Sequence, residues 1–239
     1  MEWKEILSEN SEMEEVKMKR VSAFQVIGPV MIGPSSSHTA GALRIAQIAA
    51  RILKEAPREV VFYLYGSFAE TYRGHGTDRA LLAGMMGYDT DHPDIRDAYQ
   101  IAHQRQIAFD FHPAKLIEGM HPNTVALEVT GISDKKLSLT GASIGGGEVM
   151  IHAINGIQVS FTGEYPTLIV QQQDRPGVAA HITSVLAKAG VNIGTIRMYR
   201  EQRGNRAFTI LETDEALSPN HVKEILDNQN INDVFIIDL

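Results

Sequence analysis

The sequence contains no cysteine among its 239 residues. This absence excludes disulfide bonds, zinc ribbons and any cysteine-ligated metal cluster held by this chain alone. The sequence therefore predicts no cysteine-ligated metal site within this chain, and we assign no residue of it as a metal ligand.

The chain also lacks an excess of basic residues and a long apolar run. Its formal net charge is −7, which argues against a nucleic-acid partner, since such a partner requires a clustered basic face. No eighteen apolar residues follow one another, and Met1–Glu5 does not open a secretory signal. With 44% hydrophobic residues, the composition predicts a globular, cytoplasmic protein without a membrane partner.

The most informative stretch is GPSSSHTAG, residues 33–41, which places three serine hydroxyls and an imidazole where a loop becomes a helix. Pro34 ends the preceding segment, and apolar residues then recur every three or four positions up to Leu53. Ser36, Ser37 or Thr39 is the predicted N-cap, and the free backbone N–H groups favour a carboxylate or phosphate there. A plain helix cap is the simpler alternative, but the histidine inside the cap favours a site.

Two further histidines lie at junctions between elements. His75 stands between two glycines, and Thr77 or Asp78 is predicted to cap a helix at 79–86. His121 and Asn123 precede a predicted strand at 125–129, where an ordinary turn is an equally good interpretation.

A glycine run follows Ser143, at positions 145–147. It indicates either a bulge or a backbone nest facing a ligand, and it is weak as a phosphate motif because no Lys-Ser/Thr follows. The pair Asn155-Gly156 predicts a tight hairpin.

The remaining pattern predicts an α/β (α+β) protein in three parts. Residues 1–20 form a charged tail. Residues 21–162 form a mixed-sheet domain with an antiparallel edge, with strands at 60–65, 107–111, 125–129, 136–139 and 149–154 and helices at 79–86 and 93–106. Residues 166–239 read as strand, helix, two strands, helix and strand, the ferredoxin-like βαββαβ order.

The C-terminal part resembles an ACT domain through the run Asp174-Arg175-Pro176-Gly177-Val178 before its first helix and Asn192 after it. The resemblance implies an amino-acid site formed by these residues, commonly between two paired domains, and hence a homodimer with a small amino-acid ligand. A purely dimerising ACT domain is the alternative.

The longer part resembles the β subunit of the iron-sulfur L-serine dehydratases. The resemblance rests on residues 28–39 (GPVMIGPSSSHT), 74–78 (GHGTD) and 143–147 (SIGGG), in the order found in that family. It implies an L-serine ammonia-lyase that forms pyruvate and ammonia only together with an α subunit, whose cysteines hold a [4Fe-4S] cluster.

The resemblance also implies that the matching segments face the cluster-bearing subunit. Three histidines are then the candidates for proton transfer or leaving-group stabilisation: His38, His75 and His121. Seven polar residues are the candidates for orienting the substrate: Ser36, Ser37, Thr39, Thr77, Asp78, Asn123 and Ser143.

Two other functions fit parts of the sequence. The chain could be an amino-acid-sensing regulatory subunit without catalysis, although such a sensor needs a carboxylate pocket rather than three imidazoles. A phosphate-ester enzyme using Ser36 and Ser37 would need a nearby cationic clamp, and Arg44 and Arg51 lie too far along the helix.

Overall fold

The computed structural model describes residues 29–239. The predicted tail at 1–20 lies outside the described residues. The helices are α1 (Gly41–Leu53), α2 (Gly66–Thr71), α3 (Thr77–Met85), α4 (Ala98–Gln104), α5 (Val178–Lys188) and α6 (Pro219–Leu226). The strands are β1 (Pro57–Tyr65), β2 (Ala108–Ala114), β3 (Thr124–Gly131), β4 (Lys136–Gly145), β5 (Glu148–Ile154), β6 (Ile157–Phe161), β7 (Thr167–Gln173), β8 (Ile193–Arg200), β9 (Arg206–Thr213) and β10 (Ile231–Ile237).

The first sheet has the strand order β2-β1-β3-β4-β5-β6. Strands β1 and β2 run parallel, and every other neighbouring pair is antiparallel. The predicted mixed sheet with an antiparallel edge is therefore confirmed. Asn155 and Gly156 both have positive φ, at 49° and 80°, and they form the predicted tight turn between β5 and β6.

Helix α1 is the central element of this part. Apolar side chains with the helical period are almost wholly buried on it, and it packs against β4 and against α3. Gly84 of α3 lies against the backbone carbonyl of Leu43, so a side chain there would collide with α1. The two helices can approach this closely only because position 84 is glycine.

The second sheet has the order β10-β7-β9-β8 and is covered on one face by α5 and α6. The predicted βαββαβ order is confirmed. Its other face packs against the first part of the chain, because Ile169, Phe208 and Phe235 belong to the same buried cluster as the core around α1. Within the described residues, no helix is long and apolar enough to cross a membrane.

Some predicted elements have different bounds. The helix predicted at 93–106 is a 3-10 turn, Pro93–Asp97, followed by α4. Helix α2 has no predicted counterpart, since it is six residues long and begins at a glycine with φ of 53°. The glycine run at 145–147 has positive φ throughout and forms the turn between β4 and β5.

Candidate active site

The topology brings the singled-out histidines and hydroxyls to one end of the first sheet. Strand β1 ends there, β3 begins there, and β4 runs antiparallel to β3, so Thr124 pairs with Ala142. The backbone N–H of Ser143 donates to the carbonyl of Asn123 at 3.0 Å. Segments far apart in sequence therefore share one edge.

The loop before α1 closes as a single π-helical turn, Ser36–Ala40. Its N-cap is Ser35, in extended conformation, whose Oγ accepts from the backbone N–H of His38 at 3.3 Å. The prediction of Ser36, Ser37 or Thr39 as N-cap was wrong, because the π turn shifts the cap upstream. Among residues 29–239, the Ser36 hydroxyl has no hydrogen-bond partner.

The imidazole of His38 is held by hydroxyls at both nitrogens. Its Nε2 lies 2.9 Å from Ser67 Oγ, and its Nδ1 lies 3.2 Å from Ser37 Oγ. Burial, and secondarily the neighbouring His75, lower the pKa of His38 below its ordinary value of 6.5. The ring is therefore neutral near pH 7 and able to accept a proton.

His75 touches His38 edge to face, with ring centroids 4.8 Å apart and planes at 85°. Its Nδ1 is buried without a hydrogen-bond partner in the described part of the chain. The hydroxyl of Thr39 donates to the carbonyl of His75 at 3.4 Å. Thr39 thus holds the backbone of one histidine while it belongs to the turn that carries the other.

His121 lies in the adjacent loop. Its Nδ1 accepts from the backbone N–H of Asn123 at 3.1 Å. This loop is fixed to the start of α2, because a Cβ at Gly66 would lie 2.7 Å from the carbonyl oxygen of Pro122. Ser67, the partner of His38, follows directly, so the loop and the histidine pair form one continuous wall.

The other predicted site residues are buried beneath this wall. Thr77 and Ser143 are 0% exposed, and their hydroxyls lack partners among residues 29–239. Asp78 accepts from the Tyr99 hydroxyl at 2.9 Å and from the N–H of Arg79. Burial and then this hydrogen bond raise the pKa of Tyr99. The prediction that Thr77 or Asp78 caps α3 was wrong, because both residues lie inside the helix and Gly76, in left-handed conformation, is its N-cap.

Comparison with known proteins identifies the family of the chain. The chain matches the family model described as serine dehydratase beta chain over residues 22–109 and the ACT domain model over residues 167–228. It is 41% identical over 216 residues to the probable L-serine dehydratase, beta chain, of Bacillus subtilis (strain 168), covering 90% of this chain and 96% of the relative. It is 37% identical over 209 residues to the L-serine dehydratase, beta chain, of Peptoniphilus asaccharolyticus, covering 87% and 94%. The chain belongs to the L-serine dehydratase beta chain family.

A more distant similarity extends to another class of enzyme. The chain is 28% identical over 200 residues to the D-3-phosphoglycerate dehydrogenase of Bacillus subtilis (strain 168). The alignment covers 82% of this chain but 37% of the dehydrogenase. The similarity thus spans most of this chain and about a third of that relative.

In the ACT domain, the predicted ligand residues are divided between two ends of the sheet. Asp174 follows β7 and accepts from the N–H of Gly204 at 2.9 Å, whereas Asn192 precedes β8 and donates to Asp214 at 2.6 Å. The register, with Gln173 opposite Arg206 and Ile193 opposite Thr213, separates the ends by roughly 20 Å at about 3.3 Å per residue. One small amino acid cannot touch both residues of one copy.

The loop that begins at Asp174 combines one carboxyl group that is already hydrogen-bonded with three exposed residues. The backbone hydrogen bond from Gly204, and then Arg200, lower the pKa of the Asp174 carboxyl. Arg175, Pro176 and Gly177 are exposed, while Val178 is buried in the core under α5.

Two polar residues of the wall have no counterpart among the sequence-based candidates. Ser67 is the second residue of a helix too short to predict, and only its place in the fold brings it to His38. His152 lies at the register shift of β5, and burial, then His121, lower its pKa. In the sequence, His152 is distinguished only as a histidine within an otherwise apolar strand, which could have indicated a functional residue.

Proposed function

We propose that this chain is the β subunit of a cytoplasmic, two-subunit L-serine dehydratase that converts L-serine to pyruvate and ammonia. The observation that carries the proposal is His38, a neutral imidazole held between Ser67 and Ser37 and in contact with His75. Such a ring can accept or pass on a proton near pH 7. The family membership of the chain supports the choice of substrate.

The reaction requires removal of the Cα proton and departure of the Cβ hydroxyl as water. The enamine product then tautomerises and hydrolyses, which consumes one water and releases ammonia and pyruvate. We assign proton transfer or leaving-group stabilisation to His38, His75 and His121 and the orientation of the substrate to Ser37 and Asn123, which are only half-buried. We assign the positioning of these groups to the buried residues packed beneath them: Thr39, Thr77, Asp78 and Ser143.

A [4Fe-4S] cluster does not fit the donor set of this chain. The sequence has no cysteine, and residues 29–239 contain no group of three or more histidine, cysteine, aspartate or glutamate side chains placed to bind one metal. We therefore assign the cluster to the cysteines of an α subunit, which the name "beta chain" of both relatives supports.

The test is an anaerobic reconstitution with a cysteine-bearing α subunit, followed by measurement of pyruvate released from L-serine. We expect turnover only when both subunits are present, and a large loss of kcat in His38→Gln and His75→Gln. The matched control is His103→Gln, because His103 is exposed on α4 outside the wall. Full turnover by the α subunit alone would withdraw the catalytic roles.

The second candidate function is a regulatory subunit that senses an amino acid without taking part in catalysis. The similarity to a D-3-phosphoglycerate dehydrogenase supports it, because most of this chain matches about a third of a relative that is named as a different enzyme. The reconstitution separates the two functions. A sensor would change the dependence of the rate on serine concentration, and the three histidine variants would keep the wild-type kcat.

For regulation, we propose an amino-acid site shared between two copies that pair through their β8 edges. Strand β8 is at the edge of its sheet, and Ile196 and Met198 on it are each 45% exposed. Antiparallel pairing of two β8 strands would bring Asn192 of the second copy toward the Asp174 end of the first. In such a dimer, a single amino acid could contact Asp174 of one copy and Asn192 of the other, which it cannot do within one copy.

A mixed dimer tests the shared site. Asp174→Asn and Asn192→Ala should each abolish binding of L-serine in calorimetric titration of the variant alone. In a dimer of one copy of each, one site carries both changes and the other carries neither, so half of the binding capacity should return. A monomeric chain, or no recovery in the mixed dimer, would contradict the proposal.

A further inference from the structure

A cavity of about 370 Å³ lies beside His75, between the loop that precedes the π turn and the start of α3. Gly33, Pro34 and Thr39 form one side of it, and His75 and Gly76 form another. Its volume lies in the range of small-molecule sites. No residue of this cavity other than His75 and Thr39 has a role in the reaction proposed above.

Three arginines line the cavity: Arg73, Arg79 and Arg96. Within residues 29–239 their guanidinium groups make no ion pair and no hydrogen bond, and Arg73 lies over the ring of Tyr72 at 5.4 Å. No aspartate or glutamate is among the lining residues. Three arginines without an ion pair in the described residues thus line one cavity of a chain whose net charge is −7.

The walls between the arginines add polar groups without adding negative charge. The Nδ1 atom of His75 is buried and has no partner in the described residues. Gly76 has open space where a Cβ would stand, so a ligand can approach the backbone at the start of the nine-residue helix α3. The open backbone at Gly76 thus adds a polar wall to a cavity that three arginines line.

We propose that this cavity binds a small molecule of net negative charge, a phosphate or a dicarboxylate. Planar guanidinium groups pair with carboxylate and phosphate oxygens through two parallel hydrogen bonds. L-Serine is a zwitterion, and its ammonium group would meet three cations and no carboxylate there. The site is therefore separate from the substrate site, although His75 borders both.

Calorimetric titration of the full-length chain with inorganic phosphate and with succinate tests the proposal. It needs neither the α subunit nor turnover, so its outcome is independent of the proposed reaction. The test variant is Arg79→Gln combined with Arg96→Gln, both exposed side chains. The control is Arg58→Gln, an equal change of charge per residue at the far end of β1.

We expect at least one of the two anions to bind the wild-type chain and the control alike. Loss of two charge-assisted contacts should weaken binding by about tenfold or more in the double variant. L-Serine should not displace the anion. The proposal is overturned if neither anion binds, if the double variant binds as well as the wild type, or if L-serine binds with the same dependence on the two arginines.

Discussion

Replacing Gly41 by alanine tests the packing beneath the candidate site. Gly41 has ordinary helical dihedral angles, φ −64° and ψ −42°, so its backbone conformation does not require glycine. Helix propensity alone would make the alanine more stable by roughly 0.8–1.0 kcal/mol. The packing opposes this gain, because the added Cβ would lie 2.6 Å from Ser143 Cβ and even nearer to Ser143 Oγ.

The balance favours destabilisation. The Ser143 hydroxyl can rotate away, but its Cβ belongs to a buried strand and cannot move without the sheet. Overpacking of this kind costs about 1–3 kcal/mol, which exceeds the gain in propensity. We expect a melting temperature lower by several degrees, since each kcal/mol corresponds to about 2–4 °C in a domain of this size.

A double-mutant cycle identifies the cause. In a Ser143→Gly background the nearest atom to the new methyl group is the Cα at position 143, at 3.6 Å, so Gly41→Ala should there be neutral or stabilising. Gly74→Ala is the control, because its Cβ would have nothing nearer than 3.7 Å. Urea denaturation gives each free energy of unfolding. An equal loss in both backgrounds would refute the assigned contact with Ser143.

Three further predictions concern the wall. Because the pKa of His38 is lowered in the folded chain, the unfolded chain binds a proton first as the pH falls. The free energy of unfolding should therefore decrease below about pH 6.5. Urea denaturation at pH 7.5 and 5.5 should show a smaller decrease of this free energy in His38→Gln than in the exposed control His103→Gln. Ser67→Ala removes the hydrogen bond to His38 Nε2, which is worth about 0.5–1.5 kcal/mol. The variant should lower kcat of the reconstituted enzyme roughly two- to tenfold and shift the pH profile of the rate. An unchanged kcat and an unchanged pH profile would contradict a role of Ser67 in the site. Tyr99→Phe leaves the buried Asp78 carboxylate without its hydroxyl partner. The variant should lower the free energy of unfolding by about 1–3 kcal/mol. An unchanged midpoint of urea denaturation would contradict a stabilising role of the Tyr99 hydroxyl.

Local sequence predicts those parts of the fold whose cause is local. Asn155 and Gly156 form the predicted turn because both must adopt positive φ, which few other pairs tolerate. The spacing of apolar residues along α1 predicts its buried face, because the helical repeat alone places those residues on one side. The N-cap was misplaced because a π turn, rather than an α-helical one, follows Ser35.

The candidate site shows where local reasoning ends. His38 and His75 stand out in the sequence by their glycine and serine neighbours, and the fold brings them into contact. Ser67 and His152 reach the wall through strand pairing and the packing of Gly66, neither of which a local pattern encodes. For the ACT domain, only the strand register reveals that Asp174 and Asn192 lie at opposite ends of one copy.

Helix α1 connects the two halves of the molecule physically. The first turn of α1 directly follows the π turn that carries His38. At the other end of α1, the C-cap Lys54 forms an ion pair with Asp233 and lies 4.6 Å from the ring centroid of Phe235. Both of these partners belong to β10. Phe235 also belongs to the buried cluster that α1 shares with the first sheet. The ACT sheet is therefore joined to the histidine wall by packed side chains of α1 as well as by the chain segment between β6 and β7.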